Sequence, residues 1–138
     1  MKNLFIVFSL AFIYISSSSC TVLQWRETDE ELQQKFKDSN IDSEISYFNV
    51  DSLNLRNRTL SVVSDTEKVN LVFLHGSPSS LSAWQGYYLS STPLREIANI
   101  HAIDRPGYGY SNFGEEMTSI DTQAQVINAI INLSLIHI

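Results

Sequence analysis

Two short stretches of this 138-residue chain bring together residue types that chemistry uses. In Leu71-Val-Phe-Leu-His75-Gly-Ser-Pro78 an apolar run ends in a His-Gly turn. In Ile100-His-Ala-Ile-Asp104-Arg-Pro-Gly107-Tyr-Gly109-Tyr-Ser111 a second apolar run ends in a loop rich in Gly. A strand that stops in a tight glycine turn leaves backbone N–H groups aimed into a crevice, and such donors stabilise an oxyanion that develops during acyl transfer. Gly76, lacking a Cβ, lets the backbone approach a substrate closely. In the second loop the glycines and proline predict a sharp turn, with Asp104 placed to accept hydrogen bonds from neighbouring loop groups. Ligands bind at the carboxyl ends of parallel strands, so both loops lie where a site is expected.

The elements that must hold these loops can be read around them. Val69 to Leu74 is a nearly unbroken apolar run of the kind that forms a parallel strand buried on both faces. Ile97 to Ile103 is a second such strand. Leu81 to Leu94, with Trp84, Tyr87, Tyr88 and Leu89, predicts a helix between them that ends near Pro93. Those aromatic residues read either as core or as pocket lining. Ser119 to Leu133 predicts a further helix, capped by Thr118 or Ser119, with Ile120, Ala124, Ile127 and Ile131 on one face. Upstream, Ile45–Val50 and Leu53–Val63 flank Asp51-Ser52 and read as an antiparallel hairpin. Thr28-Asp-Glu-Glu31 is a capping-box pattern that opens a short amphipathic helix over residues 29 to 37, with Leu32 and Phe36 at helical spacing. The expected fold class is α/β, an antiparallel hairpin leading into parallel βαβ units.

Composition narrows the function. The formal charge of -6 argues against nucleic acid, since phosphate contacts need a basic surface, and no polybasic patch addresses anionic lipid. The three histidines are dispersed, the single cysteine allows no internal disulfide, and no Cys/His cluster has ligand spacing, so neither a metal nor a cofactor is expected. Gly107 and Gly109 lack the third glycine of a dinucleotide fingerprint.

The N-terminus reads as an export signal: Lys2 supplies positive charge, Leu4 to Ile15 is apolar, and Ser16 to Ser19 are small. The apolar run is shorter than the roughly 20 residues that span a bilayer. Cys20 stands where a bacterial lipoprotein carries its lipidated cysteine, although Ser17 replaces the usual Leu three positions earlier. Lipid at Cys20 would hold the protein on a membrane surface without spanning it. Ordinary cleavage beside a free thiol, giving a secreted or periplasmic protein, is the alternative. The expected organisation is a signal over 1–19, a linker with the short helix over 20–44, and a partial domain over 45–138.

Together the two loop segments resemble the first half of an α/β-hydrolase domain, over about Ile45 to Leu133, of the serine-dependent esterase, peptidase and epoxide-hydrolase type. That resemblance rests on His-Gly-x-Pro after one strand and Asp-x-Pro-Gly-x-Gly-x-Ser after the next. It implies that the backbone N–H of Ser77 is one oxyanion donor, the other coming from the residue after the nucleophile. It further implies that His75, Gly76 and Pro78 shape the loop, and that Asp104 supports it and is not the triad acid.

The chain also departs from the family. No Gly-x-Ser-x-Gly elbow occurs; Ser111 lies in a decoy with one residue too many. In this fold the order is nucleophile, acid, histidine, so His75 and His101 precede any nucleophile. His137 falls in Leu133-Ser-Leu-Ile-His-Ile138, where the fifth strand is expected to rise or where foreign sequence is joined. The expectation is therefore an N-terminal part of an exported, membrane-anchored hydrolase of esters, amides or related small-molecule electrophiles. It is expected to stop short of nucleophile, acid and base. The alternatives are a non-catalytic lipoprotein that binds through the same scaffold, and part of an epoxide hydrolase or haloalkane dehalogenase with an Asp nucleophile.

Overall fold

The computed structural model describes residues 26–115 and 117–136. The signal over 1–19, Cys20 and His137 lie outside the described residues. Helix α1 (Asp29–Asp38) starts where the capping box places it. The Glu31 N–H donates to Thr28 Oγ1 at 3.2 Å, and the Thr28 N–H donates to Glu31 Oε2 at 2.8 Å. Both bonds satisfy amides that the first helical turn leaves without partners. Its two apolar residues, Leu32 and Phe36, are buried.

Strands β1 (Glu44–Val50) and β2 (Leu55–Val62) form the antiparallel hairpin, with Glu44 opposite Ser61 and Val50 opposite Leu55. The second strand begins two residues later than the pattern suggested. Asp51–Leu53 wind into a 3-10 turn, and Asn54 takes a left-handed φ of 50°, which Asn tolerates better than most residues. Strand β3 (Val69–Leu74) runs parallel to β4 (Ala98–Ile103), and β4 runs antiparallel to β2, giving the order β1-β2-β4-β3. All six residues of β4 are buried. Strand β3 is not buried on both faces: it pairs only with β4 among the described residues, and Val69 is 65% and Leu74 42% exposed.

The connection from β3 to β4 differs from a single helix. A 3-10 turn (Leu81–Trp84) passes into a π turn (Gln85–Leu89), and a separate helix α2 (Thr92–Ile97) follows. Pro93 opens α2 and does not end a helix, because in a first turn its missing N–H would have had no partner anyway. Helix α3 (Ile120–Ile136) is capped by Ser119, whose Oγ accepts from the Thr122 N–H at 3.2 Å. Its buried stripe is Val126, Ile127 and Ile130, while Ile120 is 80% exposed. The helix thus turns an i, i+1, i+4 stripe towards β1, rotated from the face expected.

Side-chain alternation divides the core between the two faces of the sheet. Leu60, Val62, Ile100 and Ala102 pack with Leu32, Phe36, Leu81 and Leu89 on one face. Val50, Leu55 and Ile103 pack with the α3 stripe on the other. The parallel pair β3 and β4 ends in register, Leu74 beside Ile103, so the two loops that follow leave the sheet side by side.

Candidate functional site

Asp104 is the hub of this end of the sheet. Its side chain is fully buried. Oδ1 accepts from the Leu81 N–H at 2.6 Å and Oδ2 from the Tyr110 N–H at 2.9 Å, so one carboxylate pins the segment after each strand. Burial pushes its carboxyl upward from the usual range, opposed by the Tyr110 and Leu81 N–H donors, the Arg58 guanidinium and His75. Gly109, at φ 55°, lies so close that a Cβ there would overlap the carboxylate.

His75 adds a second tie. Its Nε2 accepts from the Arg105 N–H at 3.0 Å, and its Nδ1 sits 2.7 Å from the Gly76 carbonyl oxygen. A ring nitrogen that accepts an N–H holds no proton, so Nδ1 is the protonated nitrogen and donates to Gly76. Burial holds this imidazole below its usual pKa, against the Gly76 bond and Asp104 and helped by Arg105, so the neutral ring is favoured. Asp104 Oδ1 lies 3.8 Å from Nε2, too far for a hydrogen bond.

Between these ties the loop tip is open. Gly76, Ser77 and Pro78 are exposed, and the Ser77–Pro78 peptide is cis. The Ser77 N–H donates to no acceptor among the described residues. The Tyr108 hydroxyl donates to Ser77 Oγ at 3.2 Å, and Tyr108 also borders an open groove of about 510 Å³ with Pro106, Gly107 and Met117. Thus His75, Gly76, Ser77, Pro78 and Asp104 share one end of the sheet.

The remaining candidates lie apart from this loop tip or have their groups occupied. Ser111 is buried and its Oγ accepts from the Arg58 N–H at 2.8 Å, which ties the loop back to β2. His101 is buried mid-strand, with Nδ1 2.9 Å from Ser61 Oγ and Nε2 3.2 Å from Asn70 Oδ1. Trp84 and Tyr88 pack on Phe73, with ring centroids 5.5 and 4.7 Å away, whereas Tyr87 is 81% exposed. Among the described residues no His, Cys, Asp and Glu group could hold a metal ion, and no helix is long and apolar enough to cross a membrane.

Arg58 is the member of this constellation that sequence reasoning missed. Its side chain is fully buried, with Nη1 3.7 Å from Asp104 Oδ2 and its guanidinium 4.7 Å from the centre of the Tyr110 ring. The signal was present: strand alternation puts Arg58 on the same face as Leu60 and Val62, where a cation requires a partner.

No family model matches the chain, and no curated protein matches its sequence. Solved structures do match. Cfl2 from Burkholderia cenocepacia superposes with a TM-score of 0.58 at 22% identity over 67% of this chain and 29% of its own. A membrane phospholipase A, described as a bacterial virulence factor, gives 0.56 at 22% identity over 93% and 39%. The Cif epoxide hydrolase from Acinetobacter nosocomialis gives 0.52 at 19% identity over 79% and 35%. The matched region thus spans well under half the length of each of these proteins. Dehalogenases, a thioesterase and a lipase are similar in the same way, and all share one architecture. The chain therefore has an α/β-hydrolase fold, of which it supplies the hairpin and two parallel strands.

Proposed function

We propose that this chain is the N-terminal part of a hydrolase that attacks an ester, amide or related electrophile through a covalent intermediate. The observation that carries the reading is the Ser77 N–H, which has no acceptor among the described residues and sits on a loop held from both sides by Asp104 and His75. In the proposed step a nucleophile outside residues 26–136 bonds to the substrate's carbonyl carbon. The carbonyl π pair moves to oxygen, and the Ser77 N–H donates to that oxyanion. Collapse of the adduct then expels the leaving group, which takes up a proton, and water later releases the acyl group. His75 spends both ring nitrogens on backbone and Asp104 spends both oxygens on amides. They fit loop-holding roles better than proton transfer.

The test has two parts. Translating the DNA past the codon for Ile138 should reveal an in-frame Gly-x-Ser-x-Gly, and the protein it encodes should hydrolyse p-nitrophenyl acetate while the 138-residue chain does not. An Asp in place of that Ser would favour epoxide or haloalkane chemistry, in keeping with neighbours of those kinds. A stop codon at that point would favour a non-catalytic binding lipoprotein. Hydrolysis by the 138-residue chain that disappears in Ser111→Ala would overturn the assignment of the nucleophile to a later segment. Export and lipid attachment at Cys20 belong to the same proposal. Labelled fatty acid should enter the wild-type protein and not Cys20→Ser; equal labelling would reject the anchor.

A further inference from the structure

Helix α1 is not part of either loop, yet it reaches both through one buried cation. The Arg58 side chain is fully buried, and an ion in that setting needs close partners to offset its lost hydration. Its Nη2 lies 2.7 Å from Asp29 Oδ1, at the first position of α1, and its Nη1 donates to the Glu27 carbonyl oxygen at 3.1 Å. Asp104 Oδ2 stands farther off, at 3.7 Å. Two carboxylates thus compete for one guanidinium, and Asp29 holds the closer place. The Tyr47 hydroxyl fixes Asp29 by lying 3.0 Å from Oδ2 and 3.2 Å from Oδ1. Arg26 grips the second loop directly: its Nη1 donates to the Gly109 carbonyl oxygen at 2.9 Å, and its guanidinium lies 4.1 Å from the centre of the Phe113 ring.

We infer that Asp29 is a positioning residue of the loop site, acting through Arg58 to keep the Asp104 carboxylate free for the Leu81 and Tyr110 amides. The inference rests on reading the Ser77 loop as part of a hydrolytic site. With Asp29 neutralised, Asp104 becomes the only carboxylate among the described residues at ion-pair distance from Arg58. The guanidinium then draws closer and takes lone pairs that the two loop amides now use. The loops on either side of Ser77 loosen together, while the sheet keeps its ladder.

Hydrogen exchange on the full chain, followed amide by amide, tests this. In Asp29→Asn the amides of Leu81 and Tyr110 should exchange about tenfold faster or more, with those of Leu60 and Ala102 unchanged, because loops open locally without the core. Asp29→Glu should restore slow exchange at both. Tyr47→Phe, which keeps the ion pair and removes only the hydroxyl that steadies it, should give a smaller acceleration at the same two amides and serves if Asp29→Asn does not fold. Unchanged exchange at Leu81 and Tyr110, or a parallel acceleration at Leu60 and Ala102, would overturn the inference. In the protein encoded by the extended reading frame, Asp29→Asn should lower kcat for p-nitrophenyl acetate with KM unchanged. If the wild type of that protein shows no hydrolysis, the hydrolase reading fails, and the exchange result alone decides the role of Asp29.

Discussion

Two buried histidines stand at comparable depth in this molecule and do different work. His101, in the middle of β4, bonds to side chains only, those of Ser61 on β2 and Asn70 on β3. Asn70 Oδ1 also receives Asn99 Nδ2 at 3.2 Å, which extends a polar ladder across three strands. His75, one residue past the end of β3, bonds to backbone only, the Arg105 N–H and the Gly76 carbonyl. The difference follows from position. Around His101 the backbone groups are spent on neighbouring strands, so its ring bonds to the side chains of Ser61 and Asn70. Beyond the last ladder bond the backbone is unspent, and side chains there can decide where its N–H groups point. Oxyanion chemistry needs such aimed donors, so the proposed site lies at the strand ends and not on the polar ladder.

The sharpest way to break this contrast is to remove its hub. Asp104→Ala would leave the Leu81 and Tyr110 amides without their acceptor and Arg58 with one carboxylate fewer. Breaking a buried ionic partner in this way costs about 3 kcal/mol or more. Urea unfolding should report that loss. A matching Asn70→Ala variant, which cuts the ladder, should lose clearly less. Equal losses would mean that the strand ends hold no special share of the polar bonding.

Glycines sharpen the comparison next. Gly109→Ala places a Cβ on the Asp104 carboxylate at a left-handed φ of 55°. The left-handed conformation alone costs a side chain about 1–2 kcal/mol, and the overlap adds to it. Gly76 has open space where a Cβ would go. Gly76→Ala should therefore change stability by no more than about 0.5 kcal/mol. In the protein from the extended frame, Gly76→Ala should still lower kcat/KM if substrate approaches the backbone there. A stability loss at Gly76 as large as that at Gly109 would remove the distinction between a packed turn and an open rim.

Acid distinguishes the histidines from Asp104. Burial holds both His75 and His101 below the ordinary 6.5. As pH falls through 6.5, the unfolded chain binds protons that the folded chain refuses. Stability is therefore full above that pH and is lost as the depressed folded values are approached. Asp104 has the opposite sign: burial raises it from 3.8, so its protonation favours the fold as pH falls from that raised value. Urea midpoints stepped downward from neutral pH should fall first, in the histidine window, and His101→Gln should retain only part of the drop. A flat or rising midpoint just below 6.5 would contradict burial of neutral rings.

Much of this was legible in the residues, and the failures have physical causes. Thr28 and Glu31 announced α1 because a capping box is a local device that needs no partner from elsewhere. The two loops were legible because Gly, Pro and Asp turn chemistry is equally local. The exposure of Val69 and Leu74 in β3 was not, because an unbroken apolar run reports side-chain burial preference and says nothing about what covers each face. Pro93 predicts a stop yet opens α2, since proline is excluded from a helix interior but is common both in a first turn and just past a helix end. Arg58 carries no turn or motif signal of its own, although its place on the face of Leu60 and Val62 demands a buried anion.

The smallest expected effect concerns protons within the two histidines. Asn70 Oδ1 accepts from Asn99 Nδ2, so it is the oxygen that faces His101, and Nε2 of that ring must donate. Nδ1 then accepts from the Ser61 hydroxyl. His75 is the reverse, protonated on Nδ1 because the Arg105 N–H occupies Nε2. Nitrogen NMR should therefore show opposite tautomers in one molecule. Ser61→Ala removes a bond worth about 1 kcal/mol while leaving the His101 tautomer as it was, because Asn70 and not Ser61 sets it. A switch of the His101 proton to Nδ1 in that variant would show that the ladder's order is imposed from β2. The same tautomer in both rings would mean that ladder and loop do not differ in the way their hydrogen bonds indicate.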